Sequence, residues 1–112
     1  MKLLPSQFEV TIDITHLEKA KEARFLKVEG AAECCIVAQA VKPLTTELFW
    51  VSPNGFLNAQ IEVESQYGSW IADNAAQEAA VETLVFQYDR QNYGMVKEML
   101  PLTVTFTRTR TK

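Results

Sequence analysis

The sequence predicts a single α+β domain over residues 1–112, a mainly antiparallel sheet in the order β-α-α-β-β-β-α-β packed on two or three helices. Three observations carry this expectation. Phe8 to Ile14 alternates apolar and polar residues strictly, Leu57 to Glu64 does the same, and residues 75–89 repeat apolar side chains at helical spacing. A period of two marks a strand with one buried face, whereas a period near 3.6 marks a helix lying on a core.

The first strand runs into Thr15-His16-Leu17-Glu18, a capping-box pattern in which Thr15 and Glu18 satisfy two free amides reciprocally, so a short helix is expected over 16–24 with Leu17 and Ala20 inward. Phe25 to Val28 is too short to show a period. Ala31 to Val41 contains only Glu33 and Gln39 as polar residues and is followed by Pro43, which reads as a buried helix with a strand as the alternative. Leu48 to Val51, the turn Ser52-Pro53-Asn54-Gly55, and Phe56 to Glu64 read as a hairpin, with Leu57, Ala59, Ile61 and Val63 inward. A turn near Gln66-Tyr67-Gly68 leads to a third strand at Trp70-Ile71-Ala72. Asp73 or Asn74 then caps the helix 75–89, whose inner residues are Val81, Leu84, Val85 and Tyr88. Asn92-Tyr93-Gly94 supplies a stop, Met95 to Leu100 is a connection or a helical turn, and Leu102, Val104 and Phe106 alternate with threonines in a closing strand.

Composition bounds the function classes. With 47% apolar and 22% charged residues and four each of Gly and Pro, the chain has the make-up of a globular domain. Its longest unbroken apolar run, Cys34 to Ala38, is far short of the roughly 18–20 residues a membrane span needs, and Pro5 and Gln7 interrupt any signal-like stretch. A cytoplasmic location and no membrane partner are therefore expected. The net charge of −3 is small, but no Lys or Arg occurs between Pro43 and Asp89, where seven acids stand. Turning about 100° per residue places Glu78, Glu82 and Asp89 within about a 40° arc of the late helix, with Phe86 at its edge. Glu62 and Glu64 face the same way along their strand. These six residues form the candidate partner-binding surface, expected to be a solvated acidic face.

The order of elements and three phrases resemble a group of short uncharacterised proteins encoded by tailed phages and their bacterial hosts. The phrases are Cys35 to Val41, similar to a Cys-Pro-apolar-Ala-x-Ala-apolar helix start with Ile36 in the place of Pro; Tyr88-Asp89 closing the late helix; and Pro101 to Phe106. The resemblance implies a fold and a phage-related setting and no activity.

No catalytic residue, metal ligand or cofactor is assigned. Cys34 and Cys35 are adjacent, which suits packing thiols better than a disulfide, and the chain's one histidine, His16, is the only imidazole available as a base for a thiol nucleophile. A structural metal site wants four spaced ligands. The four glycines are isolated, so no Gly-rich phosphate loop exists. Arg108, Arg110 and Lys112 alternate with threonines, which is either a small phosphate-contacting comb or a set of cations meeting Glu62 or Glu64 across the sheet. Nucleic acid is not the expected partner. The sequence points to a non-enzymatic domain that binds another protein, or a second copy of itself, through an acidic surface. The alternatives are a small enzyme with a carboxylate or thiol site and weak nucleic-acid binding by the basic tail.

Overall fold

A computed structural model describes residues 1–27, 34–54 and 60–111. It contains a five-stranded antiparallel sheet in the order β1-β5-β4-β3-β2, built from β1 (Gln7–Ile12), β2 (Phe49–Asn54), β3 (Gln60–Ser65), β4 (Gly68–Ala72) and β5 (Leu102–Thr111). The first and last strands are neighbours. Phe8 pairs with Phe106 and Val10 with Val104, so the two alternating patterns put their apolar residues on the same face. On the other face, Thr11 and Thr103 hydroxyls lie 2.9 Å apart and Gln7 donates to Thr107 at 3.2 Å.

The helices are α1 (Ile14–Phe25), α2 (Ile36–Val41), α3 (Ala75–Asp89) and α4 (Tyr93–Met99), with a 3-10 turn at Lys42–Leu44. The core unites Phe8, Val10 and Ile12 of β1 with Leu17 and Ala20 of α1, every residue of α2 but Gln39, and Val81, Leu84 and Tyr88 of α3. Trp70, Val63 and Phe106 fill the sheet side of this core with no exposed area. The Phe8 ring lies 5.4 Å from the Phe106 ring and 6.2 Å from that of Trp70. Such aromatic pairs contribute about 0.5–1.5 kcal/mol beyond area burial.

Residues 1–6 lie across one end of the sheet, held by partners distant in sequence. The Leu4 amide donates to Glu47 Oε2 at 2.8 Å, its carbonyl accepts from Arg108 at 3.3 Å, and the Pro5 carbonyl accepts from Trp70 Nε1 at 2.8 Å. Leu4 itself is buried. Glu47 is thus an interior acceptor for the chain start and not part of the acidic surface.

Several boundaries differ from expectation. The first strand ends at Ile12, because Asp13 is the cap of α1: its carboxylate accepts from the Thr15 amide at 2.9 Å, while His16 Nδ1 accepts from the Asp13 amide at 3.0 Å. The capping box is therefore Asp13 with His16 and not Thr15 with Glu18. Asp caps as well as any residue and comes first in the chain. Ile14, expected inward on the strand, is consequently an exposed helical residue. Phe25 ends α1 and Leu26-Lys27 forms a turn, while Val28 lies outside the described residues.

The expected helix 31–41 is interrupted. Cys35 is extended, with φ −104° and ψ 129°, so the helix restarts at Ile36, and residues 31–33 lie outside the described residues. Pro43 sits within the 3-10 turn. Ser52, Pro53 and Asn54, expected in the hairpin turn, belong to β2, while Gly55, Leu57 and Ala59 lie outside the described residues. Proline is tolerated there because β2 is an edge strand. Asn92 precedes α4, with Tyr93 and Gly94 inside it, so this triplet starts a helix; Gln91, at φ 63°, marks the end of the preceding one.

Asn74, one of the two expected caps, takes that place in α3: its side chain accepts from the Gln77 amide at 2.9 Å. Replacing Asn74 by Ala is expected to lower the unfolding free energy by about 1 kcal/mol, read as a shift of the urea midpoint at constant slope.

Candidate functional site

The acidic surface is organised by the place where β4 leaves the sheet. β4 ends at Ala72 and the chain turns into α3, while its neighbours β3 and β5 have further amides directed at the vacated track. The first turn of α3 fills that gap with two side chains. Gln77 Oε1 accepts from the Thr105 amide of β5 at 2.8 Å, and Glu78 Oε1 accepts from the Ile61 amide of β3 at 3.0 Å. Buried backbone donors must be paired, and here adjacent residues of one helix pair one donor from each flanking strand.

Glu78 is therefore not a freely solvated member of a ridge. It is half-buried, and its second oxygen, Oε2, is buried with no hydrogen-bond partner. Burial raises its pKa; the Ile61 amide opposes that rise, and the nearby carboxylates of Glu82 and Glu62 add to it. A charge held in place by a backbone bond and pressed by two like charges is the most electrostatically loaded group of the surface.

The other predicted residues divide. Glu62 and Glu82, both half-buried, gather with Glu78. Glu64 is committed elsewhere: it accepts from Trp50 Nε1 at 2.8 Å and from the Ser69 hydroxyl at 3.4 Å on the outer sheet face. Asp89, at the far end of α3, feels Arg24, whose charge lowers its pKa; burial has the larger, opposite effect and leaves it raised. Phe86 is 53% exposed, with the Arg90 guanidinium 5.0 Å from its ring centre. The expected ridge is thus an acidic cluster of Glu62, Glu78 and Glu82 bordered by Phe86, with Asp89 drawn toward Arg24 and Glu64 pinned to the sheet. Among the described residues, no Lys or Arg forms an ion pair with the three clustered carboxylates.

The basic tail takes a different place from the one expected. β5 runs beside β4 and β1, so Glu62 and Glu64 of β3 are not its cross-strand neighbours. Arg108 pairs with Trp70 across the ladder, lies 5.1 Å over its ring, and donates to the Leu4 carbonyl. It is a packing cation and not a tooth of a surface comb.

The remaining chemical groups are also placed. Cys34 and Cys35 form no disulfide and are partly buried. Burial pushes the Cys35 thiol up, with Asp89 adding to the rise, which is the reverse of the activation a nucleophile needs. His16 spends Nδ1 on the α1 cap. Among the described residues, no three His, Cys, Asp or Glu side chains converge as a metal site, and no helix is long and apolar enough to cross a membrane.

Among the described residues, clefts open on the helical side. One, between α1 and α2, is bounded by Lys19, Glu22, Leu26, Gln39 and Lys42; a second lies between α1 and the α3–α4 junction. Neither is lined by His16, Cys34 or Cys35. The role of Gln77 was not legible in the sequence, because nothing in a polar residue of a helix's first turn reveals that a strand ends beside it. Compared with known proteins, the chain matches no family model, no curated protein and no solved structure.

Proposed function

We propose that this chain is a non-enzymatic, cytoplasmic interaction domain in a phage-related setting, engaging a basic protein partner through Glu62, Glu78 and Glu82 with Phe86 as the apolar contact. The observation that supports this reading is the gathering of three carboxylates without a basic counter-charge among the described residues, beside an aromatic ring left half in water. Like charges held together cost stability, and a cationic partner relieves that cost on binding. The raised Cys35 thiol and the inward Arg108 make the thiol-enzyme and nucleic-acid readings weaker. The phage-related setting rests on the residue phrases alone.

Selection of displayed random peptides on the immobilised protein tests the proposal. The expected result is enrichment of sequences that combine Lys or Arg with an apolar residue, binding that weakens as salt rises, and loss of binding in Glu62→Lys/Glu82→Lys. Glu78 is left intact in this variant because it also pairs the Ile61 amide. Enrichment of peptides without basic residues, or equal binding by the variant, would sink the proposal.

A further inference from the structure

The second cleft lies on the opposite chemistry. It is lined by Lys21, Arg24, Phe25, Gln91 and Tyr93, with a volume of about 470 Å³ and no carboxylate in its lining. That size is within the roughly 300–1,000 Å³ range of small-ligand sites. Lys21 and Arg24 stand three residues apart on α1, which brings them to one side of the helix.

Both cations are positioned by the α3–α4 junction. Arg24 donates one N–H to the Tyr88 carbonyl at 3.2 Å and its guanidinium lies 5.0 Å from the Tyr88 ring centre. The Tyr88 hydroxyl also feels Arg24 as a hydrogen-bond donor, and a fork with five donors keeps others for an incoming anion. Lys21 Nζ is 4.6 Å from the Tyr93 ring centre. The Tyr88 and Tyr93 rings lie 6.0 Å apart, and Gln91 in the left-handed region closes α3 between them. Asp89 acts on Arg24 electrostatically without lining the cleft. Phe25, which lines the cleft, is 85% exposed, the highest exposure of any aromatic side chain among the described residues; Phe86 is 53% exposed.

We infer that this cleft binds a phosphate monoester carried on an aromatic ring, with Lys21 and Arg24 on the phosphate and Phe25 and Tyr93 on the ring. Charge decides between anions: two adjacent cations match a phosphate monoester, which carries about −1.5 to −2 near neutral pH, better than a single carboxylate. The exposed Phe25 face gives the ring a stacking partner, and without a ring on the ligand that face stays in water. This site is independent of the acidic cluster and stands or falls separately from it.

Titration of the intact protein with phenyl phosphate, followed by amide chemical shifts, tests the inference. Saturable shifts are expected at Lys21, Arg24, Phe25, Gln91 and Tyr93, weakening as salt rises. Lys21→Glu should weaken binding by about tenfold or more through charge reversal beside a dianion, in a protein that still unfolds cooperatively, with thermal unfolding lowered only by the loss of the Lys21–Tyr93 contact. Phe25→Ala should lower the affinity for phenyl phosphate toward that for inorganic phosphate, Tyr93 keeping part of the ring contact, and leave the affinity for inorganic phosphate unchanged. Absence of shifts at the cleft, or undiminished binding by Lys21→Glu, overturns the site. Equal affinity for inorganic phosphate and phenyl phosphate in the parent protein overturns the ligand class.

Discussion

Replacing Trp70 by Ala is expected to lower the unfolding free energy by about 3–5 kcal/mol, the range for truncating a fully buried large aromatic residue. The reason is its position and not its size alone. Trp70 has no exposed area, packs against Phe8 at 6.2 Å, carries Arg108 over its ring at 5.1 Å, and donates to the Pro5 carbonyl. Truncation opens a cavity in the sheet side of the core, leaves the Arg108 guanidinium without its ring, and removes the bond that holds residues 1–6 across the sheet end. Against a stability of about 5–15 kcal/mol for a domain of this kind, this loss is from about a fifth of the margin to all of it. Urea unfolding checks the magnitude. Trp70→Phe, which keeps ring packing and loses the donor, should fall between the two; equal loss in both variants would mean the Pro5 bond carries the effect.

Glu78 gives the second large effect, and it separates charge from hydrogen bonding. Glu78→Ala removes the acceptor for the Ile61 amide and is expected to cost about 1–3 kcal/mol, the penalty of a buried donor without a partner. Glu78→Gln keeps an acceptor and removes a charge that burial and two carboxylates oppose, so at neutral pH it should be at least as stable as the parent. The sign with pH follows from the raised pKa. Above the ordinary value of 4.5 the folded chain holds its proton longer than the unfolded chain, so stability falls as pH rises through that window. Asp89, also raised, adds a fall of the same sign beginning above 3.8. Asp13 is lowered, chiefly by its bond from the Thr15 hydroxyl, so its contribution is present above 3.8 and is lost as pH falls through the lowered value. Unfolding free energy measured from acid to neutral pH should show a shallower decline for Glu78→Gln than for the parent. An equal loss of stability in Glu78→Gln and Glu78→Ala would show that the bond to Ile61 carries nothing.

What was legible in the sequence was whatever depends on neighbours in the chain. Period-two alternation identified β1, β3 and β5, because a pleated strand with one wet face forces polar residues between apolar ones. Helical spacing and Asn74 likewise identified α3 within its observed bounds. Boundaries slipped where two local signals compete: Asp13 and Thr15 are both good caps, and only the end of β1's pairing with β5 at Ile12 and Leu102 gives the place to Asp13.

The candidate site divides in the same way. Spacing alone gathered Glu78 and Glu82 on one helical face and put Phe86 at its edge. The sequence placed the end of this strand at Ala72 but could not show which strands flank it and continue past that end, which converts Glu78 from a surface charge into the partner of the Ile61 amide and gives Gln77 the matching task at Thr105. Nor could it show that β5 lies beside β4, which turns Arg108 onto Trp70. The basic cleft is wholly tertiary, since Arg24 and Tyr88 meet across 64 positions of chain. Local periodicity records which face of an element is buried; which element lies against that face is decided by pairing order and by which backbone donors are left without a strand.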